Sequence, residues 1–200
     1  MKTIIWDMGG VLLRTEDQSL RRTWEEKLGL QQGQLHDLIF GNDLSRQASI
    51  GKASQEDIWF WVQQKLSLTD QEMKDLRSDF FKYDLIDQDL MVYIRSLKQD
   101  YTVGMITNAW PDIRFMLTSV WHVADAFESI IVSAEVGIVK PDAAIYHMAL
   151  EALDTAPGEA VFIDDYIENI RGAEAVGMKG IHFTDREKTI QQLNALLLST

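Results

Sequence analysis

Five short apolar runs rich in β-branched residues, each followed by a helical stretch, constrain this 200-residue chain more than any other feature. The runs occupy 3–6, 102–106, 129–132, 160–163 and 180–183. The stretches with apolar residues at spacings of three and four occupy 88–98, 111–120, 142–153, 167–176 and 186–198. A run of four or five apolar residues bounded by Gly, Asp or Asn reads as a buried strand. Strands alternating with helices call for a parallel sheet joined by crossover helices, an α/β architecture of Rossmann-like type.

The alternation fails between the first and second runs. Residues 14–84 contain no convincing strand, and 17–28, 34–40, 55–66 and 69–80 each carry helical periodicity, with Gly29, Gly33, Gly41 and Gly51 between them. The expected organisation is an α/β core made of 1–13 and 85–200, interrupted by an α-helical cap over 14–84. No internal repeat or low-complexity linker separates the two, so the cap is expected to pack on the core.

Composition narrows the function. The chain holds 31 acidic residues against 19 basic ones, a formal net charge of −12. Binding to nucleic acid or to an anionic membrane needs clustered Lys and Arg, so neither is expected as a partner. Cysteine is absent, which removes disulfides, thiolate nucleophiles and Cys-ligated zinc. The four histidines, His36, His122, His147 and His182, show no metal-binding spacing. No apolar run approaches membrane-span length, and Asp7 interrupts the start before a signal-peptide core could form. A cytoplasmic protein, monomeric or homodimeric, is the expectation.

Ligands of parallel sheets sit where the strands end, so the residues just after each strand carry the functional reading. These are Asp7 after the first run, Thr107 and Asn108 after the second, and Asp164 and Asp165 after the fourth. If the first and fourth strands are neighbours, three carboxylates crowd one edge, and a hard cation such as Mg²⁺ would neutralise them. Lys140 is the one basic residue between Arg114 and Arg171. With Pro141 suited to the first turn of a helix, Lys140 is expected at a helix start, where its charge needs an anionic companion. Each residue alone also has a structural reading. Asp7 could shape a turn, Thr107-Asn108 could cap a helix, Asp164-Asp165 could be a solvated helix start, and Lys140 could lie on the surface. Their combination in this order points to a metal-assisted phosphate site.

The segments Ile4-Ile5-Trp6-Asp7-Met8-Gly9-Gly10-Val11-Leu12, Met105-Ile106-Thr107-Asn108, Gly137-Ile138-Val139-Lys140-Pro141-Asp142 and Val161-Phe162-Ile163-Asp164-Asp165 appear in that order. So arranged, the chain resembles the haloacid dehalogenase-like (HAD) superfamily, phosphatase type, with a helical cap after the first strand. The resemblance implies that Asp7 takes the phosphoryl group, and that Asp7, the Gly9 carbonyl, Asp164 and Asp165 hold Mg²⁺. It implies that Thr107 and Asn108 meet the phosphate and that Lys140 pairs with both Asp7 and the phosphate. The implied substrate is a small phosphorylated metabolite, a sugar phosphate among the options.

Two positions depart from the family pattern. Gly9 stands where a second Asp ordinarily acts as general acid and base, and Asn169 stands where an acidic residue is common. Gly9 keeps open a non-catalytic or slow binding protein of the same fold. A metal-independent dehalogenase is the third reading, and the paired acids Asp164-Asp165 count against it. In the cap, Asn42, Arg46 and Lys52 are the loop residues that could face the site.

Overall fold

The computed structural model describes residues 1–198. A five-stranded sheet is built from β1 (Thr3–Trp6), β4 (Thr102–Thr107), β5 (Ser129–Val132), β6 (Ala160–Asp164) and β7 (Lys179–His182), in the spatial order β5-β4-β1-β6-β7. Every pairing is parallel, with Ile5 opposite both Gly104 and Phe162. β1 therefore lies at the centre, between β4 and β6, and the strand ends carrying Asp7, Thr107 and Asp164 meet at one edge.

Alternate residues of the central strands go to opposite faces, as the pleat requires. Ile4, Trp6, Val103, Met105, Val161 and Ile163 pack with Leu90, Met91, Ile94 and Leu97 of α6 (Gln88–Leu97) and Leu193 of α11 (Arg186–Leu198). Ile5, Ile106 and Phe162 pack on the other face with Ile145, Tyr146, Ala149 and Leu150 of α9 (Ala143–Ala152). Ile170 and Ala173 of α10 (Ile167–Ala175) complete that side. With helices on both faces, the strands are apolar throughout rather than alternating.

Five helices fill the insertion: α1 (Ser19–Leu28), α2 (Gln34–Phe40), α3 (Asp43–Ala48), α4 (Gln55–Leu66) and α5 (Asp70–Phe81). They enclose a separate apolar cluster that includes Trp24, Leu35, Ile39, Ile58, Trp59, Leu76 and Phe80. Capping boxes start two of them, Ser54 with Asp57 on α4 and Thr69 with Glu72 on α5. At Gly51, φ is +72° and a side chain would collide with the backbone carbonyl of Ala134, so the cap's 49–52 turn lies hard against the core.

The structure corrects the expectation that 14–84 holds no strand. β2 (Leu13–Thr15) and β3 (Asp84–Ile86) pair antiparallel at the entrance and exit of the insertion. Each is three residues long, and their partnership spans about seventy residues of chain, so neither carries a local pattern. Asp87 fastens this hairpin to the core. It caps α6 through Leu90 N–H (3.0 Å) and accepts from Arg14 of β2 (2.6 Å) and Arg186 of α11 (2.8 Å). α3, with Asn42 as its N-cap, also escaped the periodicity reading. The helix expected over 111–120 is a short α7 (Ile113–Phe115) continued by a π-turn over Met116–Val120.

Candidate active site

β1 ends at Trp6, and Asp7 follows with its N–H donating to Ile163 O (2.8 Å), which ties it to the neighbouring β6. β6 in turn ends at Asp164. The Asp7, Asp164 and Asp165 carboxylates thereby converge, with one oxygen of each within 4.8 Å of the others. Asp7 is 6% exposed and Asp164 fully buried, while Asp165 is partly open.

Lys140 reaches the same point from the loop between α8 (Ser133–Val136) and α9. Its Nζ donates to Asp7 Oδ1 (2.5 Å), Asp164 Oδ2 (2.6 Å) and Ile106 O (3.1 Å), and it lies 5.2 Å from the centre of the Phe162 ring. The expectation of a lysine at a helix start is corrected here. α9 begins at Ala143 with Asp142 as N-cap, its side chain accepting from Ala144 N–H (2.9 Å). Pro141 thus precedes the cap instead of opening the first turn. What compensates the ammonium charge is the pair of carboxylates.

Asn108 sets the direction of Lys140. Lys140 N–H donates to Asn108 Oδ1 (2.8 Å) and Asn108 Nδ2 donates to Lys140 O (3.0 Å), a reciprocal pair that clamps the lysine main chain. Thr107 closes β4, nearly inaccessible beside Val132. Asn169, on α10, donates from Nδ2 to both oxygens of Asp164 (3.0 Å each), and Tyr166 N–H donates to Asp164 Oδ1 (2.7 Å). An ionised acidic residue at 169 could accept but not donate, so the amide is what allows this residue to bond both Asp164 oxygens.

Two glycines that sequence reasoning passed over shape the site. Gly10 has φ +77°, and the Asp165 carboxylate occupies the space a side chain would need. Gly172 lets α10 approach the Lys140 loop, since a Cβ there would stand 2.8 Å from Pro141 Cβ and 2.9 Å from Pro141 O. Their neighbours in the sequence give no sign of these contacts. Among the cap residues, Asn42 donates to Leu38 O (2.8 Å) and Ile39 O (3.0 Å), and Arg46 donates to Gly41 O (2.8 Å) and pairs with Asp43. Both hold the cap's own backbone together, and Lys52 is exposed.

Fully ionised, three carboxylates against one ammonium would leave two uncompensated negative charges in a largely buried space. Burial first, and the adjacent Asp164 charge, push the Asp7 carboxyl up to about 7, although Lys140 pulls it the other way. Burial would lower Lys140, but Asp7 and Asp164 overcome it and hold the ammonium above its ordinary value. Asp165 is raised by burial and by Asp164, and its Oδ1 is buried without a hydrogen-bond partner. An orphaned carboxylate oxygen facing two further carboxylates is an all-oxygen donor set suited to a hard divalent cation. Asp7 and Asp165 have capacity to serve it, while Asp164 is already engaged by Lys140, Asn169 and Tyr166.

The model for the haloacid dehalogenase-like hydrolases matches residues 1–177, and the chain belongs to that family of hydrolases. A sesquiterpene phosphatase from Aspergillus oryzae is 31% identical over 199 residues, covering 98% of this chain and 96% of that protein. A phosphoserine phosphatase from Thermus thermophilus is 28% identical over 113 residues, 54% of this chain and 45% of that one. Among solved structures, a HAD family enzyme from Bacteroides thetaiotaomicron in complex with magnesium and inorganic phosphate shares the fold. Its TM-score is 0.76 at 17% identity, with 92% of this chain and 94% of that chain covered. Among the described residues, no helix is long and apolar enough to cross a membrane.

Proposed function

We propose that the protein is a Mg²⁺-dependent phosphatase that hydrolyses a small phosphorylated metabolite through an aspartyl-phosphate on Asp7. The observation that carries this reading is a buried carboxylate at the end of the central strand, held 2.5 Å from the Lys140 ammonium and with an oxygen within 4.8 Å of oxygens of Asp164 and Asp165. In the first step an Asp7 oxygen attacks phosphorus, the bond from phosphorus to the leaving-group oxygen breaks, and that oxygen takes up a proton. In the second, water attacks the phosphorus of the aspartyl-phosphate, losing a proton, and inorganic phosphate departs as Asp7 is regenerated.

Lys140 neutralises charge on the phosphoryl oxygens and favours the ionised form of Asp7 against the burial that raises its carboxyl. Thr107 donates its hydroxyl to the phosphate, and Asn108 holds Lys140 in line. Asp7, Gly9 O and Asp165 would hold Mg²⁺, with Asp164 as the fourth neighbour. When bound, the cation supplies positive charge against the phosphate and lowers the Asp7 carboxyl into its ionised form. The helices over 14–84 act as the cap that excludes water from this chemistry. The sesquiterpene phosphatase and phosphoserine phosphatase relatives support phosphomonoester hydrolysis while differing widely in leaving group.

The test is turnover of a panel of phosphorylated metabolites with and without Mg²⁺, for wild type and Asp7→Asn. Mg²⁺-dependent phosphate release abolished by EDTA and by Asp7→Asn is the expected result. Turnover of a haloacid that survives EDTA would establish a dehalogenase instead. Phosphate binding without any turnover would leave the non-catalytic reading that Gly9 favours.

A further inference from the structure

The loop after β4 is pinned at three successive residues. Asn108 is clamped to the Lys140 main chain. Ala109 N–H donates to Ser133 Oγ (3.0 Å), and the same hydroxyl bonds back to Ala109 O (3.3 Å). Trp110 then leaves the core and is buried within the apolar cluster of the cap, its ring stacked on Phe40 with centroids 5.0 Å apart and planes 27° apart. The aromatic pair therefore bridges core and cap two residues beyond Asn108.

Phe40 closes α2 and is steadied from further sides by His36 (4.9 Å) and Phe80 (6.0 Å), yet it is 39% exposed. A ring held in a fixed orientation between the phosphate-side loop and the cap still has open surface for a ligand. If the phosphoryl group meets Asp7 and Lys140, the part of a substrate that extends past Asn108 runs toward Trp110 and the cap.

We propose that the open surface of Phe40, backed by the buried Trp110, is the aromatic wall against which the leaving group lies. The substrates are then phosphomonoesters of flat apolar alcohols, aromatic or unsaturated, in preference to sugar phosphates. This rests on the phosphatase reading of the Asp7 centre and names its substrate class. A ring face offers contact area and dispersion but no hydrogen-bond acceptor or donor in the ring plane's place. A sugar can use the ring only through a C–H face, and any hydroxyl turned toward it gives up water without replacement, whereas a flat aryl or alkenyl group makes full contact and loses nothing. Because the wall is fixed before the substrate arrives, little ordering cost offsets the contact.

The experiment compares kcat/KM for 1-naphthyl phosphate and acetyl phosphate, both with stable leaving groups, in wild type, Phe40→Ala, Phe40→Tyr and Phe60→Ala. The ratio of naphthyl to acetyl is expected to fall about tenfold in Phe40→Ala, mainly through KM for the naphthyl ester. It should recover in Phe40→Tyr, which keeps the ring, and stay at the wild-type value in Phe60→Ala, a ring on α4 that is 64% exposed. Calorimetric binding of naphthylmethylphosphonate against methylphosphonate gives the same comparison without turnover. Phosphonate discrimination that depends on Phe40 in a protein inert to every phosphate ester would retain the wall and reject the phosphatase. Mg²⁺-dependent turnover whose naphthyl preference is unaltered in Phe40→Ala would reject the wall and retain the phosphatase, as would a wild type that prefers glucose 1-phosphate to naphthyl phosphate.

Discussion

Asn108 and Lys140 grip each other's polar groups twice, Lys140 N–H to Asn108 Oδ1 at 2.8 Å and Asn108 Nδ2 to Lys140 O at 3.0 Å. The residues are 32 positions apart and belong to separate crossover connections, so this pair is what aims the lysine side chain at Asp7. Asn108→Ala removes both bonds and should destabilise the fold by about 1–2 kcal/mol. Turnover should fall more steeply than stability, because a displaced ammonium no longer meets the phosphoryl oxygens. Thermal melts and kcat on one substrate check this; a stability loss with kcat unchanged would refute the positioning role.

Gly172→Ala pits helix propensity against a close approach. Alanine in the middle of α10 would ordinarily gain about 1 kcal/mol over glycine. Here the added Cβ meets Pro141 Cβ, Pro141 O and Tyr146 Oη at 2.8 to 3.0 Å, two of them beyond easy adjustment. The expected outcome is a lower melting temperature and reduced activity, since the Pro141 loop carries Lys140. A stabilised, fully active Gly172→Ala would show that the loop yields at no cost.

Metal binding should release a proton near neutral pH. In the absence of a cation, Asp7 holds its proton up to about 7 through burial and Asp164, whereas an unfolded Asp releases it near about 3.9. The folded state therefore binds more protons across that window, so the Asp7 contribution to stability falls as pH rises from about 4 and levels off above about 7. A cation next to Asp7 displaces that proton, so Mg²⁺ affinity should climb from pH 6 to pH 8. Calorimetry in buffers of different ionisation enthalpy counts the released protons. Asp7→Asn should melt higher than wild type at pH 8 without Mg²⁺, and the gap should narrow when Mg²⁺ is added to both. Affinity independent of pH would contradict this account.

Gly9 stands where the family resemblance implies a general acid. A Cβ there would meet no atom within 4 Å, and Gly9 lies outside the left-handed region that demands glycine. Without an acid, nitrophenyl phosphate should react readily and alkyl phosphates should lag, the difference being about 10²- to 10⁴-fold where protonation matters. Aspartyl-phosphate should accumulate for the same reason and give a burst. Gly9→Asp is expected to raise alkyl phosphate hydrolysis and shrink the burst in single-turnover measurements. Fast alkyl phosphate turnover by wild type would mean that another residue supplies the proton.

Asp87 ties the entrance and exit of the cap to the core. Burial opposes its charge, but Leu90 N–H, Arg186 and Arg14 together hold its carboxyl below the usual range. Its contribution to stability is then present above about pH 4 and lost as pH falls further. Asp87→Ala should cost about 2 kcal/mol through the lost cap and the charge-assisted bonds. Hydrogen exchange should rise first in β2 and β3. Urea melts and exchange of those amides measure both.

Much of the fold was legible because its signals are local. Buried parallel strands write themselves as short apolar runs, and crossover helices as three-and-four periodicity, so the five strands of the sheet were readable to within a residue or two. β2, β3 and α3 were not, since a three-residue strand has no period and its stability comes from a partner far along the chain. The residues at the strand ends could be named for the same local reason: parallel topology sends every such end to one edge.

The sequence alone determined the α/β class, the helical insertion and the identities of Asp7, Thr107, Asn108, Lys140, Asp164 and Asp165 as the residues to watch. Tertiary structure decided what each of them touches. That β1 lies beside β6 brings three carboxylates together, that Asn108 meets the Lys140 main chain turns an otherwise ordinary lysine inward, and that Gly10 and Gly172 have no side chains makes room for Asp165 and Pro141. Strands and helices follow from the free energy of neighbouring residues, whereas the charge, burial and hydrogen bonding of a site come from groups tens of residues apart, and only the packed chain brings those within reach of one another.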